Sequence, residues 1–152
     1  MRIDFVRAGI AGIVGTLAFD VVGLLLGRGW WDIPALLGAK LGGGLFDGVL
    51  AHYVNGVLIA VLLAGVAPSL WGPPWARALL FMTVQTVFGV GLFMMPLLDM
   101  GIMGLNAGVA MPVIGMIRHW AYGFVVVGLY PLVGQSMEGP GAQAEAGASA
   151  AR

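Results

Sequence analysis

The chain contains no cysteine. That excludes disulfides, thiolate metal sites, cysteine-ligated iron–sulfur clusters and thiol catalysis. Charge is nearly as scarce: seven basic and seven acidic side chains among 152 residues, or 9%, with a net charge of zero. A soluble domain carries roughly 25% charged residues to clothe its surface. There is no basic stripe and no aromatic–basic interleaving, so nothing points to nucleic acid. Histidine occurs twice. No glycine-rich phosphate loop, Gly-x-Ser-x-Gly elbow, His-Glu-x-x-His pair or intramembrane carboxylate dyad is present, which argues against an autonomous hydrolase or phosphotransferase.

What is abundant is apolar: 60% hydrophobic residues, with 26 glycines and nine methionines, and a mean hydropathy of +0.98. Lipid is the solvent that suits this composition, and a bilayer core takes about 20 residues of helix to cross. Four stretches are long enough: from about Asp4 to Gly27, Asp47 to Ala67, Trp75 to Leu98, and Met111 to Val133. The first is read as a span rather than a cleavable signal, because its apolar run is long and Asp20 interrupts the place for a cleavage site. Residues 1–134 thus form an all-α integral membrane bundle of four helices, and the polar segment 135–152 reads as a disordered tail. Pro68, Pro73 and Pro74 punctuate the second turn, with Trp71 and Trp75 at the expected interface. The connections Gly29–Phe46 and Met100–Ala110 are too apolar for solvated loops and too broken by glycine for spans, so each is expected to lie at the interface or dip into the bundle. Arg2, Arg7 and Arg77 face one side and Arg28, Lys40 and Arg118 the other. The short N-terminal segment favours both termini in the cytoplasm, in a bacterial-type inner membrane.

The halves resemble one another. At an offset of 67, Asp32 falls on Asp99, His52 on His119 and Gly56 on Gly123, and an aromatic follows each histidine; at an offset of 70, Arg7-Ala8 falls on Arg77-Ala78. Two tandem hairpins related by a pseudo-two-fold axis along the membrane normal follow from this match. Both histidines then sit at one depth, on the order of 10 Å below the same interface.

Ionisable groups inside a span are expensive and mark candidate sites. Asp20 is expected at the depth of His52, where a carboxylate would orient the imidazole; pairing with Arg28 or Lys40 is the alternative. His52, Asn55, Gly56 and Ile59 share one helical face, as do His119, Tyr122, Gly123 and Val126. A histidine followed four residues later by glycine leaves a flat patch, and this pattern is similar to that of b-type cytochromes, in which histidines on neighbouring membrane helices clasp haem. The resemblance implies His52 and His119 as axial ligands of a haem b, with Gly56 and Gly123 beneath it. Plainer readings are a hydrogen bond at a helix contact or a wet position at the headgroups, and a metal site of His52, His119 and Asp20 is a further one. Arg118 is expected to snorkel to water, with a haem propionate, an anionic lipid headgroup or Asp99 as other partners. Gln85 reads as interhelical glue or as lining for a quinone or substrate pocket. Ala8, Gly12, Thr16, Asp20, Gly23 and Gly27 form a smooth stripe on the first helix, fit for packing within the bundle or for docking another subunit.

The function expected from this is that of a small accessory or assembly subunit of a larger membrane complex, respiratory or otherwise concerned with electron transfer. A haem-binding electron carrier is the alternative. A small transporter or channel, active as an oligomer with Asp20 and Gln85 on its pathway, is the third. The partners expected are the lipid bilayer and other membrane subunits or further copies of the chain.

Overall fold

The computed structural model describes residues 3–130, so the expected tail at 135–152 lies outside the described residues. Those residues are all-helical, with no strand among them. Four helices are long and apolar enough to cross a membrane: α1 (Phe5–Leu25), α3 (Leu45–Ser69), α4 (Pro74–Leu97) and α5 (Met111–Leu129). A nine-residue connection helix, α2 (Asp32–Lys40), lies between the first two.

The helix starts follow capping chemistry. Asp4 caps α1 by accepting the Arg7 N–H at 2.9 Å, and Asp47 accepts the Gly44 N–H at 3.0 Å at the head of α3. Prolines occupy the first turns of α4 and α5, where a missing N–H costs nothing. The middle of α4, Gln85–Met94, winds as a π-helix, a rare form that often accompanies functional sites.

The spans pack in the order α3–α1–α5–α4, with α1 and α5 in the centre. No extensive contact closes the ring between α3 and α4. The stripe expected on α1 faces inward: Ala8, Gly12, Thr16, Asp20 and Gly23 are all buried within the bundle. Gly27 lies past the helix end with φ +75°. Bilayer tails are as apolar as leucine, so helices associate here through close packing and polar contacts rather than the hydrophobic effect. Gly56 marks a close crossing of α3 on α1. A Cβ there would run into Thr16 Oγ1 and sit 3.4 Å from the Gly12 carbonyl oxygen. Large apolar side chains such as Ile10, Leu17, Leu58, Leu62 and Phe88 cover the outside, and Trp71 is 80% exposed at the α3–α4 turn.

The two unusual connections lie on one end of the bundle and are structured. α2 folds back along the first turns of α3, its Pro34 carbonyl against Gly48 and its Gly38 against the Gly44 carbonyl. The second connection holds a 3-10 segment, Ile102–Ala107, in which Met103 and Gly104 take left-handed φ values of 57° and 78°. Lys40 at the end of α2 and Asp99 just past α4 join the two connections in a 2.6 Å ion pair.

Gly56→Ala is expected to destabilise the protein by about 1–3 kcal/mol, the usual cost of overpacking. Gly128→Ala adds a methyl with nothing within 4 Å and is expected to leave the melting temperature in detergent unchanged. Thermal unfolding followed by circular dichroism checks both.

Candidate functional site: a buried ionic cluster between two cavities

Near the connection end of the bundle, six polar side chains meet. Asp20 on α1 is 1% exposed and is surrounded. His52 Nε2 lies 3.0 Å from its Oδ1, the Tyr53 hydroxyl donates to its Oδ2 at 3.3 Å, and Arg118 Nη2 stands 3.6 Å from Oδ1. Arg118 on α5 forms a two-pronged pair with Asp32, Nη1 to Oδ2 at 2.9 Å and Nη2 to Oδ1 at 3.0 Å. Its Nε donates to the Phe19 carbonyl at 3.2 Å. Arg28 reaches the same Asp32 carboxylate at 3.4 Å. Two guanidinium groups thus face two carboxylates, with the His52 imidazole alongside.

The local sequence explains the assembly. Gly23, one turn beyond Phe19 and Asp20, leaves the space the guanidinium fills, since a Cβ there would stand 2.5 Å from Arg118 Cζ. Phe19 supplies a ring 4.1 Å beneath Arg118 Cζ, a cation–π contact. Trp31 takes φ +61° just before α2, so the chain turns sharply and presents Asp32 back to the bundle. Burial raises the Asp32 carboxyl, but the Arg118 hydrogen bonds and charge, the Ile33 N–H and Arg28 more than offset it and hold it below its ordinary value of 3.8.

Both histidines border this cluster. The Phe19 ring centre lies 5.4 Å from the His52 ring and 4.9 Å, edge-on, from that of His119, so one aromatic side chain separates the two imidazoles. His119 Nδ1 donates to the Gly115 carbonyl at 2.7 Å, which leaves Nε2 as the lone-pair nitrogen. Tyr122 donates its hydroxyl to the Gly56 carbonyl across the α3–α5 gap.

Two cavities flank the cluster. The larger, about 250 Å³, lies on the open side of the ring between α3 and α4. The α3 face that reads His52, Asn55, Gly56 and Ile59 lines one wall, and Val90, Met94, Met95 and Leu98 line the other, with His119 and Tyr122 at the back. The smaller, about 30 Å³, lies behind His119 and Arg118 toward the second connection. Thr86 also borders it and is 3% exposed. Its hydroxyl has no hydrogen-bond partner among the described residues.

Several expectations change against this geometry. Arg118 does not snorkel: it is 2% exposed, and its partners are Asp32 and Asp20 rather than Asp99. Asp20 pairs with His52 as expected, whereas Arg28 goes to Asp32 and Lys40 to Asp99. Asp32 and Asp99, superposed by the sequence repeat, therefore have unlike surroundings. Haem does not fit the residues proposed to hold it. His52 Nε2 is engaged by Asp20 and Phe19 stands against both imidazoles. The glycines are used in helix packing, Gly56 against Thr16 and Gly123 against Met82. Pockets for drug-sized ligands run from about 300 to 1,000 Å³, and a porphyrin needs at least that. Among the described residues, no group of three or more His, Cys, Asp or Glu is placed to hold a metal, so His52, His119 and Asp20 do not form such a set. Gln85 lines neither cavity, and its Oε1 has no hydrogen-bond partner among the described residues.

Phe19, Tyr53 and Asp32 belong to the site and were missed from sequence. The aromatic following each histidine was a signal for Tyr53. An acid opening a connection that contains a short helix was one for Asp32. Phe19 carries none that separates it from the other six phenylalanines.

Arg118→Ala removes a buried guanidinium from both carboxylates, leaving Asp32 with Arg28 and Asp20 with His52 and Tyr53, and is expected to cost about 3–5 kcal/mol, whereas Lys40→Ala, at an exposed pair, costs at most about 1 kcal/mol; unfolding in detergent separates them. Because the folded-state value of Asp32 is depressed, its contribution is present above pH 3.8 and is lost as pH falls through the folded value. The acid limb of a stability–pH curve is therefore expected to flatten in Asp32→Asn. No protein-family model, curated protein or solved structure matches this chain, so its function has to be read from the cluster and its cavities.

Proposed function

We propose that the protein binds a lipid-soluble molecule with a small hydroxyl- or carbonyl-bearing head, of the quinone or quinol class, and that it does so as an accessory subunit of a membrane electron-transfer complex. One observation carries this reading: the 250 Å³ cavity lies where α3 and α4 leave the ring open, with apolar walls and polar groups gathered at one end. A single ring fits that volume, and an apolar tail leaves through the open side toward lipid. The head meets complementary chemistry. His119 Nε2 accepts a hydrogen bond, the Asn55 amide donates or accepts one, and the His52–Asp20 pair stands behind as an oriented imidazole. The cluster itself is held by ion pairs, so these groups are positioned before the ligand arrives.

In that setting the chain contributes the pocket and a neighbouring subunit the redox centre. The smooth stripe of α1 is spent inside the bundle, so a partner would meet the outer apolar faces instead. The same reading includes two fused hairpins about a pseudo-two-fold axis. Its support is that Gly56 of α3 packs on α1 and Gly123 of α5 packs on α4, equivalent contacts in the two halves. With both termini in the cytoplasm of a bacterial-type inner membrane, the cluster and both connections lie toward the opposite side.

Titration with a short-chain quinone in nanodiscs is expected to show saturable binding at one site per chain. Ala51→Phe, which adds a ring to the cavity wall away from the ionic cluster, is expected to weaken it at least tenfold with the melting temperature unchanged. Equal binding by Ala51→Phe would overturn the pocket assignment. Isolation from native membranes at low detergent tests the other half, and a lone monomer would overturn the accessory role.

A further inference from the structure

We infer that the smaller cavity is a binding site for a soft monovalent cation, Cu(I), with Met95, Met103 and Met111 as thioether ligands and His119 as the imidazole ligand. The site adjoins the larger pocket and shares Met95 and His119 with it, whereas Met103 and Met111 line the smaller cavity alone.

Three methionines from three different segments border this one small space: Met95 from the last turn of α4, Met103 from the second connection and Met111 from the first turn of α5. Methionine is an ordinary gap-filler, and three around a hole need not mean more. Three further observations set this group apart. First, the cavity is small, about 30 Å³ against 250 Å³ for its neighbour, a space on the scale of an ion or a few waters. Second, His119 also borders it, and its Nδ1–H is fixed on the Gly115 carbonyl at 2.7 Å. That bond leaves Nε2 unprotonated and without a hydrogen-bond partner among the described residues, the arrangement that orients ligating histidines. Third, Met103 holds a left-handed backbone, φ 57° and ψ 12°. This conformation is strained for a non-glycine residue, and the Met103 sulfur lies against Gly91 of α4.

Donor chemistry selects the ion. Among the described residues no cluster of His, Cys, Asp or Glu offers a site for zinc or a hard divalent cation. Thioethers with an imidazole suit Cu(I). Charge is compatible as well. Arg118 borders the same cavity, but its guanidinium is engaged by Asp32 and Asp20, so the cavity does not face an unbalanced positive charge. A monovalent ion also has less to lose on leaving water than a divalent one. Thr86, whose buried hydroxyl lacks a protein partner, stands beside it as a weak further oxygen donor.

The experiment is titration of the full chain in detergent with Ag(I) as a stable analogue, and with Cu(I) held by a competing chelator. X-ray absorption at the copper edge follows. One ion per chain is expected, with sulfur and imidazole nitrogen in the inner shell. Met103→Leu and Met111→Leu, near-isosteric changes that keep the packing, are each expected to weaken binding at least tenfold. Met82→Leu, a buried methionine outside the cavity, is expected to change nothing. Absence of stoichiometric binding would overturn the assignment, as would an inner shell without sulfur or equal affinity in Met103→Leu and the parent. Met103 lines the smaller cavity alone and Ala51 the larger alone, so Met103→Leu and Ala51→Phe separate a failure of copper binding from a failure of quinone binding.

Discussion

Arg118 is the pivot of this structure. In a low-dielectric bundle a guanidinium with no counter-charge is prohibitive, and so is an unpaired carboxylate. The protein resolves this by bringing α1, α2 and α5 together at one point: Asp20 from the first, Asp32 from the second and Arg118 from the last. Everything near that point inherits its position. Phe19 lies flat under the guanidinium, His52 is turned by Asp20, and Asp32 ties the first connection onto the bundle. Interactions of this kind specify a unique arrangement where apolar helices alone slide and rotate at little cost.

Polar specificity and close packing divide the work along the length of the bundle. Toward the connection end the helices are held by the ionic cluster. Deeper in the bundle, at Gly12, Thr16 and Gly56, contact is made by backbones approaching without intervening side chains. The Thr16 hydroxyl satisfies itself on the Gly12 carbonyl at 2.8 Å, so that crossing stays smooth. At the far end the Asp4 N–H donates to the Tyr130 hydroxyl at 3.2 Å, joining the head of α1 to the tail of α5. The α1–α5 pair is thus tied at both ends and forms the stable spine, with α3 and α4 as flanking elements.

The spans were legible in the sequence because a bilayer imposes a length and a polarity that any window of residues must meet. Leu45–Ser69 and Pro74–Leu97 fall within a turn of the expected stretches. The Asp20–His52 contact was legible for a related reason: an antiparallel pair places residues equally far from a shared connection at one depth. Depth, however, says nothing about azimuth. Asp32, Asp99 and lipid headgroups were all within reach of Arg118 by that measure, and only the sharp turn at Trp31 decides among them. The glycines misled for the same reason. A residue without a side chain is equally suited to a flat ligand and to a neighbouring helix, and at Gly56 and Gly123 the neighbour is a helix. The methionine group around His119 was invisible because its members lie 8 and 16 residues apart, on elements whose juxtaposition requires the tertiary fold.

The ring's unsealed flank changes how the molecule can breathe. α2 travels with α3 and the second connection travels with α4, so the Lys40–Asp99 pair is a strut across the mouth of the larger cavity. Solvent reaches both of its ends, and such a strut holds by less than a few multiples of thermal energy and is weakened by salt. Across the flank itself that pair is the weak polar bond to break, while Asp32 on Arg118 and His52 on Asp20 keep α2 and α3 tied to the spine. The flank between α3 and α4 is thus the least bonded seam of the bundle, and it is the one beside the larger cavity.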